Sequence, residues 1–177
     1  MAVVYFGDNS SGTEPSACIS GYYYPTRFTN GAGTGNITEI GVNVNSAYTG
    51  TIRMGVYADT GSDSQPGALL LDAGTITNPG TGWQTISSLS LAVTDGTIYW
   101  LIVTSSTDSP DYFTPRRNTA TYVHYAPQAY GPLVDPAPTR TGSDKGVCIR
   151  AGVEAGGQQP GGGAADDRFR FRPSQRV

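Results

Sequence analysis

Apolar and polar residues alternate with a period of two through much of this chain, which is the signature of half-buried β-strands. Ile40, Val42 and Val44 alternate with Gly41 and Asn43. The stretch "TIRMGVY" puts Ile52, Met54 and Val56 on one face and Thr51, Arg53 and Tyr57 on the other. Between these two runs, "NSAYTG" supplies turn chemistry. A long polar loop, "ADTGSDSQPGA", precedes the apolar run "LLLDAGTI", and "TNPGTG" separates that run from "WQTI". "LSLAV" alternates again as a strand of its own, with Leu89, Leu91 and Val93 in phase. "TDGT" then turns the chain into "IYWLIV", a continuous apolar run that predicts a central strand buried on both sides. "ATYVHY" and "GVCIRAGV" close the series. No segment holds a 3.6-residue period over the length of a helix, because glycines interrupt every candidate. About eight or nine short strands at this spacing predict an all-β protein, a sandwich or barrel.

Composition agrees. Only 14% of the 177 residues are charged, while 37% are hydrophobic and 11 are Tyr, so the chain is neither helix-prone nor disordered. Charge is unevenly spread. Residues 1–163 carry seven Lys/Arg against twelve Asp/Glu, a balance of −5, and residues 164–177 carry four Arg against two Asp, a balance of +2. An acidic body lacks the clustered cations that phosphate binding needs, so no nucleic-acid partner is expected. No stretch approaches the apolar length of a membrane span. "MAVVYFGDNSSG" shows no basic leader, which points to synthesis in the cytosol unless a leader was trimmed, although the composition resembles that of extracellular proteins.

Several motifs follow one another in a familiar order: Gly55–Val56–Tyr57–Ala58–Asp59, Pro66–Gly67–Ala68–Leu69–Leu70, Gly82–Trp83–Gln84–Thr85–Ile86 and Val93 through Val103. Together with "YGPLVDPAPTRTGSDKGVCIRAGVE", they resemble a jelly-roll β-sandwich domain of the carbohydrate-binding-like, "choice-of-anchor" kind, over roughly residues 18–154. The resemblance implies a jelly-roll-type antiparallel β-sandwich with no catalytic motif and no cofactor. Such domains occur in bacterial surface proteins and in bacteriophage virion proteins, where they are often trimeric. The division expected is an N-terminal segment (1–17), the sandwich (18–155), a Gly-rich linker (156–163) and a C-terminal arm (164–177).

The arm carries the sharpest pattern. In "RFRFR", an extended strand sets Phe169 and Phe171 on one side and Arg168, Arg170 and Arg172 on the other. That arrangement suits β-strand addition to a neighbouring subunit; a terminus without fixed structure is the alternative. The first functional expectation is therefore a non-enzymatic virion structural protein, in a capsid decoration or a tail fibre, held to other virion proteins or to its own copies by the arm. It would be made in the host cytoplasm and exposed on the particle. The second expectation is an adhesin or receptor-binding module for a host surface glycan.

For that second reading the candidate contacts are Tyr22 and Tyr24 of "YYYPTRF" and Tyr112, Phe113, Arg116 and Arg117 of "DYFTPRR". Adjacent tyrosines on a strand must point to opposite faces, so at least one of Tyr22, Tyr23 and Tyr24 should face outward. Tyr and Arg concentrate binding energy at interfaces, and ordinary loop packing would use the same residues. Trp83, Tyr99 and Trp100 sit at motif positions within strands and read as core rather than as a sugar platform. Asp59, Gly61 and Asp63 lack the later bidentate acid of a calcium loop, so a bare turn is expected and no metal. His124 has no metal-spaced or catalytic companion. Cys18 and Cys148 fall near the first and last strands, where a disulfide or two free thiols are both open.

Overall fold

The computed structural model describes residues 2–15, 17–61, 65–107, 113–139 and 142–155; for residues 118–124, 142–145 and 155 it describes the backbone alone. Among these residues there is no helix. The strands are β1 (Val3–Gly7), β2 (Glu14–Pro15), β3 (Tyr22–Thr29), β4 (Gly35–Val44), β5 (Thr51–Asp59), β6 (Pro66–Thr77), β7 (Gly82–Val93), β8 (Ile98–Ser105), β9 (Arg116–Pro127), β10 (Gly142–Val147) and β11 (Ile149–Ala155). One sheet runs β1-β11-β4-β7 and the other β10-β9-β3-β8-β5-β6, with β2 beside β9. Every named pairing is antiparallel.

Setting aside β2, β9 and β10, eight strands remain, and they alternate between the sheets except at the β5–β6 hairpin. That winding is a jelly roll. β9 and β10 extend the second sheet beside β3. The N-terminal segment set apart from the sandwich supplies its first strand, because Val3 through Gly7 pair with Glu154 through Arg150 of β11. "WQTI" and "LSLAV" are not separate strands but halves of β7. They are joined through Ser88 (φ 62), near the point where the ladder with β4 jumps from Ile37↔Leu91 to Glu39↔Ser87. A bulge keeps both halves in one strand while changing which residues face inward. β6 is interrupted similarly opposite Met54 and Gly55, and Gly74 there has φ 100, a conformation that favours glycine.

The main core lies between the sheets. Ile40, Val42 and Val44 of β4, Ile52, Met54 and Val56 of β5, and Ile149, Ala151 and Val153 of β11 are all fully buried, as their alternation predicts. A second, smaller cluster sits on the outer face of the second sheet and unites Tyr23, Tyr57, Trp100, Ile102, Ala126, Leu133 and Ala137. The chain between β9 and β10 covers it. Leu133 presses on the space left by Gly55, where a Cβ would lie 2.2 Å from Leu133 Cδ1. Hydrogen bonds pin this cover: Tyr57 donates to the Val134 carbonyl at 2.7 Å and Tyr23 to the Pro138 carbonyl at 2.8 Å. β8, expected to be buried on both sides, is so because its outward Trp100 and Ile102 belong to this second cluster.

Candidate functional site

Among the described residues, no stretch covers the outer face of the first sheet in this way. Pairing sets Tyr5 opposite Gly152, Gly41 opposite both Arg150 and Thr85, and Asn43 opposite Trp83. These side chains therefore share the outward face. The Arg150 guanidinium is held between two rings, 4.1 Å from the centre of Tyr5 and 4.0 Å from that of Trp83. One of its nitrogens donates to Asn9 Oδ1, and the Tyr5 hydroxyl donates to Glu39. That hydrogen bond, followed by burial, raises the Tyr5 pKa and keeps the phenol protonated. Glycine makes the stack feasible: a Cβ at Gly152 would lie 3.1 Å from the Tyr5 ring and 2.7 Å from Glu39 Cγ.

Beyond the Trp83 end of this stack lies a shallow cleft of about 330 Å³, lined by Ser11, Asn43, Val44, Thr81, Gly82, Trp83 and Arg116. Arg116 reaches it because its own segment runs beside β4: Val44 and Pro115 form a bridge, and the Asn45 amide donates to the Thr114 carbonyl at 2.8 Å. Behind the cleft, Cys148 is anchored by its amide to the Arg116 carbonyl at 2.9 Å. Burial chiefly raises its thiol pKa to about 11, so it is a protonated core group rather than a nucleophile.

A second cleft, of about 230 Å³, is lined by Ala17, Ile19, Tyr22, Tyr24 and Tyr125. Tyr22 meets Tyr125 edge-on, with centroids 5.6 Å apart. Tyr24 is only 4% exposed, and its hydroxyl oxygen accepts the Ile19 amide at 2.7 Å.

The sequence-predicted contacts are scattered rather than gathered. Tyr22 and Tyr24 line the tyrosine cleft and Arg116 the polar one. Of the three adjacent tyrosines none is fully exposed: Tyr22 is half-buried, and Tyr23 faces outward but into the second cluster. Phe113 is not a surface contact, being fully buried 5.7 Å from the Tyr48 ring. Arg117 is not one either; it is buried, and its guanidinium donates to the Ala17 carbonyl at 3.5 Å. Both belong to a segment that lies between sheet edges instead of looping into solvent. Trp83 reverses its expectation. Tyr99 and Trp100 are core, but Trp83 pairs with outward Asn43 while inward Ile86 pairs with Ile40. Cys18 and Cys148 are both buried and no disulfide joins them; Cys18 pairs beside Phe113 and Cys148 beside Arg116.

Asp59 is spoken for within the fold. Arg27 grips both its oxygens at 2.9 Å, and Trp100 Nε1 donates to Oδ1 at 2.8 Å. The Arg27 hydrogen bonds above all hold its carboxyl down at about 2. Among the described residues no three of His, Cys, Asp and Glu gather as a metal site. Tyr112, Asp63 and the arm residues Arg168, Phe169, Arg170, Phe171 and Arg172 lie outside the described residues, as does the His124 side chain.

No protein-family model matches this chain, and no curated protein matches it. Among solved structures, the chain is similar to the cysteine protease and lectin-like domains of Cwp84, a surface layer associated protein of Clostridium difficile. The likeness has a TM-score of 0.49 at 11% identity and covers 78% of this chain but only 33% of that one, so this chain spans about a third of its length. The jelly-roll assignment rests on the strand order of this chain itself.

Proposed function

We propose that this chain is a non-catalytic glycan-binding module whose site is the cleft at Trp83. The observation that carries this reading is a half-buried indole bordering a cleft beside an amide, a hydroxyl and a guanidinium: Asn43, Ser11 and Arg116. A sugar ring offers an apolar C–H face and a rim of hydroxyls. It is met by a flat aromatic surface and by a few polar groups at fixed positions. The Arg150 stack holds the indole in place before any ligand arrives, which lowers the ordering cost of binding. A screen of the full chain against a glycan array is the test. Trp83→Ala should lose about tenfold or more in affinity, equivalent to about 1.4 kcal/mol, while remaining folded. Reproducible binding that ignores this substitution would move the site elsewhere, the tyrosine cleft first.

A second reading concerns attachment, and one sequence feature favours it. The alternation of Arg168 through Arg172 suits addition of the arm to a sheet edge on a neighbouring subunit, as in a virion structural protein. A chain ending at residue 163 should stay folded but fail to assemble with its partner; unchanged assembly would remove the arm from the account.

A further inference from the structure

The cleft at Trp83 is bordered by two guanidinium groups, and among the described residues neither has a carboxylate within ion-pair distance. The ion pairs described are Arg27 with Asp59 and Arg53 with Asp72, both on the second sheet. Arg116 lines the cleft; its backbone carbonyl accepts from the Cys148 amide, but its guanidinium makes no hydrogen bond or ion pair with another described residue. Arg150 stacks on Trp83, and its Nε is buried without a hydrogen-bond partner. Two acids lie near these arginines and both are engaged: the Asp8 oxygens by the Ser10 amide at 3.0 Å and the Cys148 thiol at 3.5 Å, and Glu39 by the Tyr5 hydroxyl. Among the described residues, none that lines the cleft is acidic. In a body whose net charge is −5, a local pair of unmatched cations around one aromatic face is an anomaly that an anionic ligand would resolve.

Resting on the glycan reading, we infer that the site selects acidic sugars: a uronate-type ring laid against Trp83 with its carboxylate taken by Arg116. Guanidinium and carboxylate match as planar forks, so Arg116 would hold the group through paired hydrogen bonds. Arg150, with both faces covered by rings, acts as a positioning residue and adds field rather than direct contact. Asn43 and Ser11 remain for the ring hydroxyls.

Matched pairs of oligosaccharides test this: uronate-containing chains and the same chains with the carboxyl reduced to an alcohol. The full chain should bind the acidic member at least about tenfold more tightly, and the preference should weaken as salt is raised. Arg116→Gln should erase the preference and leave weak binding to both members; Arg116→Lys, which keeps the charge but not the fork, should restore only part of it. Equal binding of both members, or a preference that survives Arg116→Gln, overturns acid selection while leaving the glycan reading intact. Binding of neither overturns both. Equal competition by a single-stranded oligonucleotide would show a general anion site and also overturn the inference.

Discussion

Gly55 on the second sheet and Gly41 and Gly152 on the first all leave room above an outward strand position, and the two faces use that room differently. Over Gly55 the chain lays its own Leu133, and Tyr23, Tyr57, Trp100 and Ile102 seal beneath the 128–138 stretch as a second core. Beside Gly152 and Gly41 lie Tyr5 and Trp83, which clamp Arg150 and stay in reach of solvent. The same strand alternation thus produces stability on one face and a recognition surface on the other. What separates them is whether a loop returns to cover the aromatics.

If that division holds, damage to the covered face should be far costlier to folding than damage to the open one. Trp100→Ala should destabilise by about 3–5 kcal/mol in urea unfolding, the range for losing a large buried aromatic, and it also removes the indole donor to Asp59. A loss below about 1 kcal/mol would mean that the second cluster is not a core.

A smaller effect should come from acid. Asp59 titrates near 2 when folded, against 3.8 ordinarily, so its contribution is complete above the ordinary value and is lost as pH falls through about 2. The urea midpoint should drop between about pH 4 and pH 2, and Asp59→Asn should flatten that part of the profile. Since the pair is partly open to solvent, with side-chain exposures of 27% for Arg27 and 14% for Asp59, the change should stay below that of Trp100→Ala.

The least effect on folding belongs to the open face. Arg150→Ala should cost about 0.5–1 kcal/mol, the worth of an accessible cation–π contact, yet it should weaken glycan binding by freeing the Trp83 ring. A change of Tm larger than that produced by Trp100→Ala would reverse the comparison.

The alternating runs foretold β4, β5 and β11 with their inward residues, and the continuous apolarity of "IYWLIV" announced β8 and cover on both its sides. Less of the site could be read. Trp83 stands in a motif with no local feature that distinguishes an indole facing the core from one facing out; its outward direction follows from its cross-strand partner, polar Asn43, and that pairing is set by the tertiary structure. Arg150 in "CIRAGV" is out of phase with apolar Ile149 and Ala151, so its outward direction was readable, but its two ring neighbours come from β1 and β7, far away in sequence. Phe113 and Arg117 look like loop residues because Pro110 and Pro115 stand beside them and no alternation is visible there, although both are buried.

By itself, then, the amino-acid order determined that this is an all-β chain, where most of its strands lie, and which residues on each strand share a side. Those are consequences of a period-two backbone and of turn chemistry, both local. The tertiary structure alone decided which outward side is sealed by the 128–138 stretch and which presents an indole, a stacked arginine and an arginine that makes no ion pair among the described residues. That choice depends on where a distant segment comes to rest, and no short-range pattern carries the information.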